Sequence, residues 1–382
     1  MKPRFYFIIA IFLLVFTLIN FYIGWHGQLW IQYVFHFNPG PLYWFFFWSI
    51  VFSYVIGRLC SRFLPYGLSS FLKWIGAYWL AIMLFTFVML PFADLTAWVM
   101  ALLAVEKTVY IPFLGLVMIL ILLVLMIRGS WNARNPVIRQ YEITIPKSAG
   151  GRKELRIAVA SDLHLGTIVG NKQLQVLVEK MNELKPDLIL LPGDIIDDDI
   201  KPFIRQDMGS IMKQLKSRLG IYAVLGNHEY IGGHINEFVS QMSAIGIEVL
   251  LDRSVLIENS FYVIGRKDKA VERFGSDGRM DLETLLTDVD KSLPMILMDH
   301  QPYGLDKAAA AGVDVMLSGH THRGQMTPNH YITSRIFELD WGYLKKGDLH
   351  AIVSSGYGTW GPPIRIGSRS EIIELVVRFE EE

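Results

Sequence analysis

The chain has 382 residues with 36 basic and 36 acidic side chains, and it is 52% hydrophobic and 13% aromatic. A net charge of zero gives no basic excess of the kind that nucleic-acid-binding proteins carry, so we expect no nucleic-acid partner. The single cysteine, Cys60, excludes a disulfide framework within the chain. The apolar residues are concentrated before residue 128, which divides the chain into a membrane half and a soluble half.

Four uncharged apolar stretches predict a multi-pass membrane region over residues 1–127. Each is close to the roughly 20 residues that a helix needs to cross ~30 Å of hydrocarbon. They cover residues 5–23, 41–57, 74–93 and 108–127. Residues 95–105 form a further apolar run that is too short to span, and we interpret it as an interfacial or helix-extending segment.

The loop charges predict the orientation of these spans. Basic residues flank alternate loops: Lys2, Arg4, Arg58, Arg62, Lys73, Arg128, Arg134 and Arg139. The other two loops contain a single basic residue, Lys107. The positive-inside rule therefore predicts a cell-membrane protein with both termini, and the soluble half, in the cytoplasm.

The soluble half has the pattern of a layered α/β domain. Residues 128–140 contain Gly129, Asn132, Asn135 and Pro136, which predict a juxtamembrane linker. Over residues 141–382, short apolar runs of buried-strand type alternate with helical stretches, which favours parallel strand pairing. The strand runs lie at residues 155–160, 188–191, 221–225, 295–298, 313–317 and 372–379, and the helical stretches at 172–184 and 204–218.

Metal-ligand side chains follow directly after five of these strand runs. They are Asp162 and His164, Asp194, Asn227 and His228, His300, and finally His320 and His322. Ligands of open α/β sheets bind at the carboxyl ends of the strands, so we expect these side chains to converge. A single aspartate after a strand is most often a turn residue or helix cap. Five such motifs in series instead favour a metal site.

The residue types suit a pair of divalent cations. Imidazole and carboxylate ligands without thiolates favour manganese, iron or zinc. The Asp-x-His and His-x-His spacings let alternate side chains of an extended segment point the same way. Gly193, Gly226 and Gly319 precede three of the ligand positions, where we expect the backbone to turn tightly around the metals.

This order of motifs resembles the calcineurin-like metallophosphoesterase superfamily, and with the preceding spans the chain is similar to its membrane-anchored members. The matching residues are Asp162-Leu163-His164, Gly193-Asp194, Gly226-Asn227-His228-Glu229, His300 and Gly319-His320-Thr321-His322. The resemblance implies a four-layered α/β sandwich with two mixed β-sheets. It implies that Asp162, His164 and His322 bind one metal, that Asn227, His300 and His320 bind the other, and that Asp194 bridges them.

The same resemblance implies hydrolysis of phosphate esters. Paired cations supply a water of lowered pKa and offset charge on the phosphoryl group. His228 would protonate the leaving oxygen or hydrogen-bond the phosphoryl group. Glu229 would orient His228 or serve as a surrounding or surface residue.

Two functions remain open at this point. The first is a metal-dependent phosphoesterase, with a phosphodiester or pyrophosphate link favoured over a monoester and a lipid-linked phosphate compatible with the bilayer. The second is a membrane receptor or transporter carrying a phosphoester-binding module of low turnover. Transport predicts charged or broken helices, whereas the four predicted spans contain no Asp, Glu, Lys or Arg.

Overall fold

The computed structural model describes residues 3–275 and 278–380. The chain divides into two compact units, Met1–Gly129 and Ser130–Glu382. Each unit is built differently, the first from long apolar helices and the second from strands and short helices.

The described part of the first unit contains four helices that are long and apolar enough to cross a membrane. They are α1 (Pro3–Phe35), α2 (Gly40–Leu59), α3 (Tyr66–Leu102) and α4 (Lys107–Arg134). Small residues allow α2 and α3 to approach closely, as is typical of membrane helices. A Cβ atom on Gly76 would lie 2.3 Å from the backbone nitrogen of Tyr54. The four long apolar helices confirm the prediction of a four-helix membrane region.

Helix α3 is longer than the apolar stretch that predicted it. Residues 95–102 continue the helix instead of lying along an interface, so Asp94 is inside α3. The predicted span 74–93 contains no charged residue, but the helix that extends it includes this carboxylate. Helix α3 accommodates Asp94 because its carboxylate accepts a hydrogen bond from the Tyr22 hydroxyl and lies 3.4 Å from His26 Nε2.

The described part of the second unit contains two six-stranded mixed sheets. The strands are β1 (Val137–Ile145), β2 (Glu154–Val159), β3 (Leu188–Pro192), β4 (Ile221–Val224), β5 (Ile247–Val249), β6 (Arg253–Ile257), β7 (Phe261–Gly265), β8 (Met295–Met298), β9 (Val315–Ser318), β10 (Gly342–Lys346), β11 (Leu349–Val353) and β12 (Glu371–Phe379). The first sheet has the order β1-β12-β2-β3-β4-β5, and the second has the order β10-β11-β9-β8-β7-β6.

Short helices connect the strands. They are α5 (Asn171–Glu183), α6 (Lys201–Arg205), α7 (Met208–Met212), α8 (Asn227–Gly232), α9 (Ile235–Ala244), α10 (Val271–Phe274), α11 (Leu282–Leu285), α12 (Leu305–Ala310) and α13 (His330–Ile336), with a 3₁₀ turn at His322–Gly324. The helix predicted over residues 204–218 is interrupted because Asp207 adopts a left-handed conformation, with φ of 49°. Residues 128–140, expected to be a linker, contain the end of α4 and the start of β1.

Alternating side chains of the strands divide between separate cores. Ile157 on β2 and Val263 on β7 pack between the two sheets. Ala158, the next residue of β2, packs under helices α5, α7 and α9. On the other side, Leu297 of β8 packs against α11 and α12. The result is helix, sheet, sheet and helix in four layers, which confirms the predicted fold class.

The parallel strands bring the motif-bearing loops to one edge. Strands β2, β3 and β4 are parallel neighbours in the first sheet. Strands β8 and β9 are parallel neighbours in the second sheet. Each of the five predicted motifs begins just after one of these strands, at its carboxyl end.

Candidate metal centre

The loops that follow the strands hold their polar residues in an unusual backbone conformation. Several non-glycine residues of the centre have positive φ values: Asp162 (53°), His164 (46°), Asp194 (51°), His320 (71°) and His322 (49°). Such conformations are costly for residues with a Cβ atom and cluster at functional sites. The loops therefore turn sharply, which directs carboxylates and imidazoles into one space.

Two glycines make this convergence possible by close approach. A Cβ atom on Gly226 would lie 2.1 Å from Asp194 Oδ1, and one on Gly319 would lie 2.1 Å from Asp162 Oδ2. Any side chain at either position would occupy the place of a carboxylate. These glycines are therefore required by the site and not by the strands that precede them.

The first group of donors is formed by Asp162, His164 and His322, whose ligand atoms lie within 4.8 Å of one another. His164 Nε2 and His322 Nε2 are 3.0 Å apart, and His322 Nε2 is 3.4 Å from Asp162 Oδ1. Burial lowers the pKa of His164 to about 3 and that of His322 well below its ordinary value. Both rings are thus neutral, which is the form that binds metals.

The second group is formed by Asp194, His300 and His320, with Asn227 beside it. Asp194 Oδ2 lies 3.0 Å from His300 Nε2 and 3.9 Å from His164 Nε2 in the first group. His320 Nδ1 lies 2.8 Å from Asn227 Oδ1. Asp194 is accordingly positioned between the two groups of donors.

Hydrogen bonding defines which nitrogen of His300 faces this group. Its Nδ1 lies 2.8 Å from the carbonyl oxygen of Pro192 and can only donate to it, which leaves Nε2 directed at Asp194. Burial alone would lower the pKa of His300, but the Asp194 carboxylate raises it well above the ordinary value. A divalent cation between these two side chains would take the place of that proton.

His228 lies beside the first group and faces two further carboxylates. Its ring is 4.6 Å from that of His164, centroid to centroid. Its Nδ1 lies 2.7 Å from Asp198 Oδ1 and 3.5 Å from Asp197 Oδ1. Burial alone would lower the pKa of His228, but the carboxylates of Asp194 and Asp197 raise it to about 9.

Comparisons with known proteins agree with this geometry. The sequence profile of the calcineurin-like phosphoesterases matches residues 155–324. An uncharacterized metallophosphoesterase of Aquifex aeolicus is 33% identical over 243 residues, which are 63% of this chain and 91% of that protein. The chain belongs to the calcineurin-like metallophosphoesterases.

The name of a second relative combines a membrane region with a metallophosphoesterase domain. A "Transmembrane protein with metallophosphoesterase domain" of Danio rerio is 31% identical over 278 residues, which are 68% of this chain. The match spans 62% of that relative's length. Among solved structures, a 5'-nucleotidase precursor from Thermus thermophilus is similar, with a TM-score of 0.37 and 14% sequence identity. The similarity covers 58% of this chain and 55% of that chain.

The donor atoms of this metallophosphoesterase fit divalent cations. Two buried neutral imidazoles that face each other 3.0 Å apart can share one proton at most, and a cation between them would accept both lone pairs. The donors are nitrogen and oxygen atoms without a thiolate, the set that suits manganese, iron and zinc. Asp162, His164 and His322 would hold one ion, and Asn227, His300 and His320 the other, with Asp194 touching both.

Glu229 has a role in this metallophosphoesterase other than orienting His228. Its carboxylate is buried and accepts hydrogen bonds from the backbone nitrogens of Gly226 (2.7 Å), Ile196 (2.9 Å) and Asp194 (3.2 Å). It therefore joins the loop after β3 to the loop after β4. The carboxylates beside His228 belong to Asp197 and Asp198, and the acidic run after Asp194 was the available signal for them.

Arg365 is a further residue of the centre that the motifs do not include. It is fully buried and lies 3.2 Å from His322 Nδ1, on the side of the ring away from Asp162. It also donates to the carbonyl oxygens of Gly356 (3.1 Å) and Gly358 (2.7 Å). Its position after Pro362-Pro363 carries no sequence signal for a metal site.

Proposed function

We propose that this chain is a hydrolase of phosphate esters that uses two divalent cations. The observation that carries the proposal is the pair of buried donor groups, Asp162-His164-His322 and Asp194-His300-His320, with Asp194 near both. Bound cations in such a pair supply an activated water and neutralise phosphoryl charge. The donors are nitrogen and oxygen atoms, which supports manganese, iron or zinc as the ions.

His228 is the candidate general acid. Its ring nitrogen contacts Asp198, and the neighbouring carboxylates favour the protonated imidazolium. A proton donor beside the phosphoryl group lowers the barrier most when the leaving oxygen is a poor leaving group. In this proposal the carboxylates of Asp197 and Asp198 stabilise the imidazolium from its Nδ1 side.

Charge beside His228 supports a diester or pyrophosphate link over a monoester. Asp197 and Asp198 lie on this side of the centre, with side chains 32% and 15% exposed. A phosphate monoester carries nearly two negative charges at neutral pH, whereas each phosphate of a diester or a pyrophosphate link carries about one. Repulsion from these carboxylates therefore disfavours the monoester more.

The test is a hydrolysis screen of the purified full chain with manganese, iron or zinc added singly. The substrates are matched monoesters, diesters, cyclic nucleotides and lipid pyrophosphates. We expect metal-dependent turnover with the diester or pyrophosphate preferred. Turnover that survives exhaustive chelation, with metal content measured on the same sample, would contradict the two-metal proposal.

The proposed location is a cell membrane, with the catalytic unit in the cytoplasm. The four apolar helices support membrane attachment, and the basic residues on alternate loops support the orientation. A substrate presented at the bilayer, including a lipid-linked phosphate, is compatible with this location.

A receptor or transporter with a slow phosphoester-binding module is the second candidate. Asp94 inside α3 supplies a charged residue of the kind that this function requires, and Pro91 in α3 and Pro112 in α4 are helix-interior prolines, although both helices are continuous. Turnover numbers separate the candidates. Metal-loaded protein that binds phosphoesters yet turns over none of the screened substrates would favour the second.

A further inference from the structure

A cavity of about 490 Å³ lies within the membrane unit, between helices α1, α3 and α4. Its volume is in the range of sites for small organic ligands. Aromatic side chains form much of its wall: Trp25, Trp30, Tyr33 and Tyr110. All of its lining residues belong to the first unit, so the cavity is separate from the metal centre.

Asp94 contributes a carboxylate to this cavity. Its side chain is 45% exposed, and His26 Nε2 lies 3.4 Å from it. Among the described residues, no lysine or arginine lies at ion-pairing distance from Asp94. Ionisable side chains within membrane helices are costly, and those that face a cavity mark sites for ligands or ions.

Asp94 lies eight residues, about 12 Å of helix, before the end of α3 at Leu102. Trp30 donates to the carbonyl oxygen of Pro112 at 3.2 Å and packs so closely on α4 that a Cβ atom at Gly115 would lie 1.9 Å from Trp30 Cδ1. His26 is one helical turn, about 6 Å, before Trp30 on the side away from the end of α1. Ile23 and Leu90 line the cavity one turn further from these ends.

Lys107 also lines the cavity but lies outside ion-pairing distance of Asp94. It is the first residue of α4, and eight residues, about 12 Å of helix, separate it from Gly115, where Trp30 packs. Asp94 therefore has the Tyr22 hydroxyl and the His26 ring as partners, and the open side of its carboxylate faces an aromatic-walled space.

We propose that this cavity binds a hydrophobic organic cation, with its charge beside Asp94 and its apolar body between the aromatic side chains. A carboxylate and aromatic faces are the two elements that recognise amines and quaternary cations. The inference does not depend on phosphoesterase activity, because the cavity and the metal centre share no residue.

The test compares two probes of the same shape and opposite charge, tetraphenylphosphonium and tetraphenylborate. Their equilibrium binding to the purified full chain in detergent is measured with radiolabelled probes and by quenching of tryptophan fluorescence. We expect saturable binding of the phosphonium and no saturable binding of the borate. Equal binding of both probes would overturn the proposal, since it would indicate partition into apolar surface.

Two variants and a matched control define the site. Asp94→Asn removes the charge and is expected to weaken phosphonium binding by at least about tenfold. Ala97→Trp fills the cavity and keeps the carboxylate, while Ala101→Trp, one turn further along α3 and outside the lining residues, serves as the control. Phosphonium binding of parental strength by either Asp94→Asn or Ala97→Trp overturns the proposal. Ala97→Trp decides the case if Asp94→Asn does not yield a monodisperse protein.

Discussion

His228 is the residue whose replacement best separates catalysis from metal binding. His228→Gln removes no proposed ligand, so metal content should equal that of the parent protein. The turnover number should fall by about 10²–10⁴ with little change in KM, because a proton donor acts only as charge develops. The loss should be smaller for a nitrophenyl ester than for an alkyl ester, since nitrophenolate departs without protonation.

Asp194→Asn is the contrasting variant for that experiment. Asp194 lies near both donor groups, 3.0 Å from His300 and 3.9 Å from His164, so this change should lower the bound metal itself. Metal analysis of both variants is the measurement. Loss of metal from His228→Gln would show that His228 is a ligand, and an equal loss for all leaving groups would show that it binds the phosphoryl oxygens.

Asp197 provides a test of the preference for diesters. Asp197→Asn removes a negative charge 3.5 Å from His228, so repulsion of a monoester dianion should fall. We expect the ratio of kcat/KM for a monoester to that for its matched diester to rise on the order of tenfold. Asp199→Asn, in the same acidic run, is the control. An unchanged ratio in Asp197→Asn would remove the electrostatic basis for the preference.

At the scale of elements, the loop between β11 and β12 depends on Arg365. The guanidinium bonds two carbonyl oxygens of this loop and contacts His322, and a lysine cannot make this branched set of bonds. Arg365→Lys should lower metal affinity by about 10–100-fold, as loss of partners of metal ligands does. The measurement is a competition titration against a fluorescent chelator.

Arg369→Lys is the matched control for Arg365→Lys. Arg369 lies in the same loop, and its guanidinium donates to the carbonyl oxygen of Asn135, 2.7 Å away and outside the metal centre. It should therefore leave metal affinity unchanged. Similar losses in both variants would indicate a general loss of stability, which thermal unfolding of the metal-free proteins would reveal.

The elements that sequence predicts best are the buried strands and the motifs that follow them. Runs such as residues 188–191 are apolar on both faces, because helices cover one side of the sheet and the second sheet covers the other. Elements that depend on one backbone angle are not predictable in this way. The left-handed Asp207 divides a continuous apolar pattern into α6 and α7.

Contacts between distant segments explain what the sequence does not reveal about the site. Arg365 reaches His322 from a different loop, so no local spacing indicates the pair. The role of Glu229 depends on the backbone amides that donate to its carboxylate, two of which lie in the loop after β3. In the sequence Asp94 marks the end of an apolar stretch, and its contacts with Tyr22 and His26 explain its place inside a helix.

At the scale of the whole molecule, the orientation in the membrane is testable by cysteine labelling. In a Cys60→Ser background, Phe37→Cys replaces an exposed residue between α1 and α2, and Ser334→Cys replaces an exposed residue of α13. With basic loops in the cytoplasm, an impermeant maleimide should label Phe37→Cys in intact cells and Ser334→Cys only after permeabilisation. Labelling of Ser334→Cys in intact cells would reverse the proposed orientation.

The position of β12 has a consequence for biosynthesis. This strand lies between β1 and β2, pairing with β1 from Val137 and with β2 up to Val159, yet it begins only at Glu371. A ribosome adding 5–20 residues per second needs roughly 10–40 s to pass from β2 to β12. Throughout that interval the edges of β1 and β2 that β12 will cover remain unpaired. Chaperone occupancy should therefore persist until β12 has left the exit tunnel.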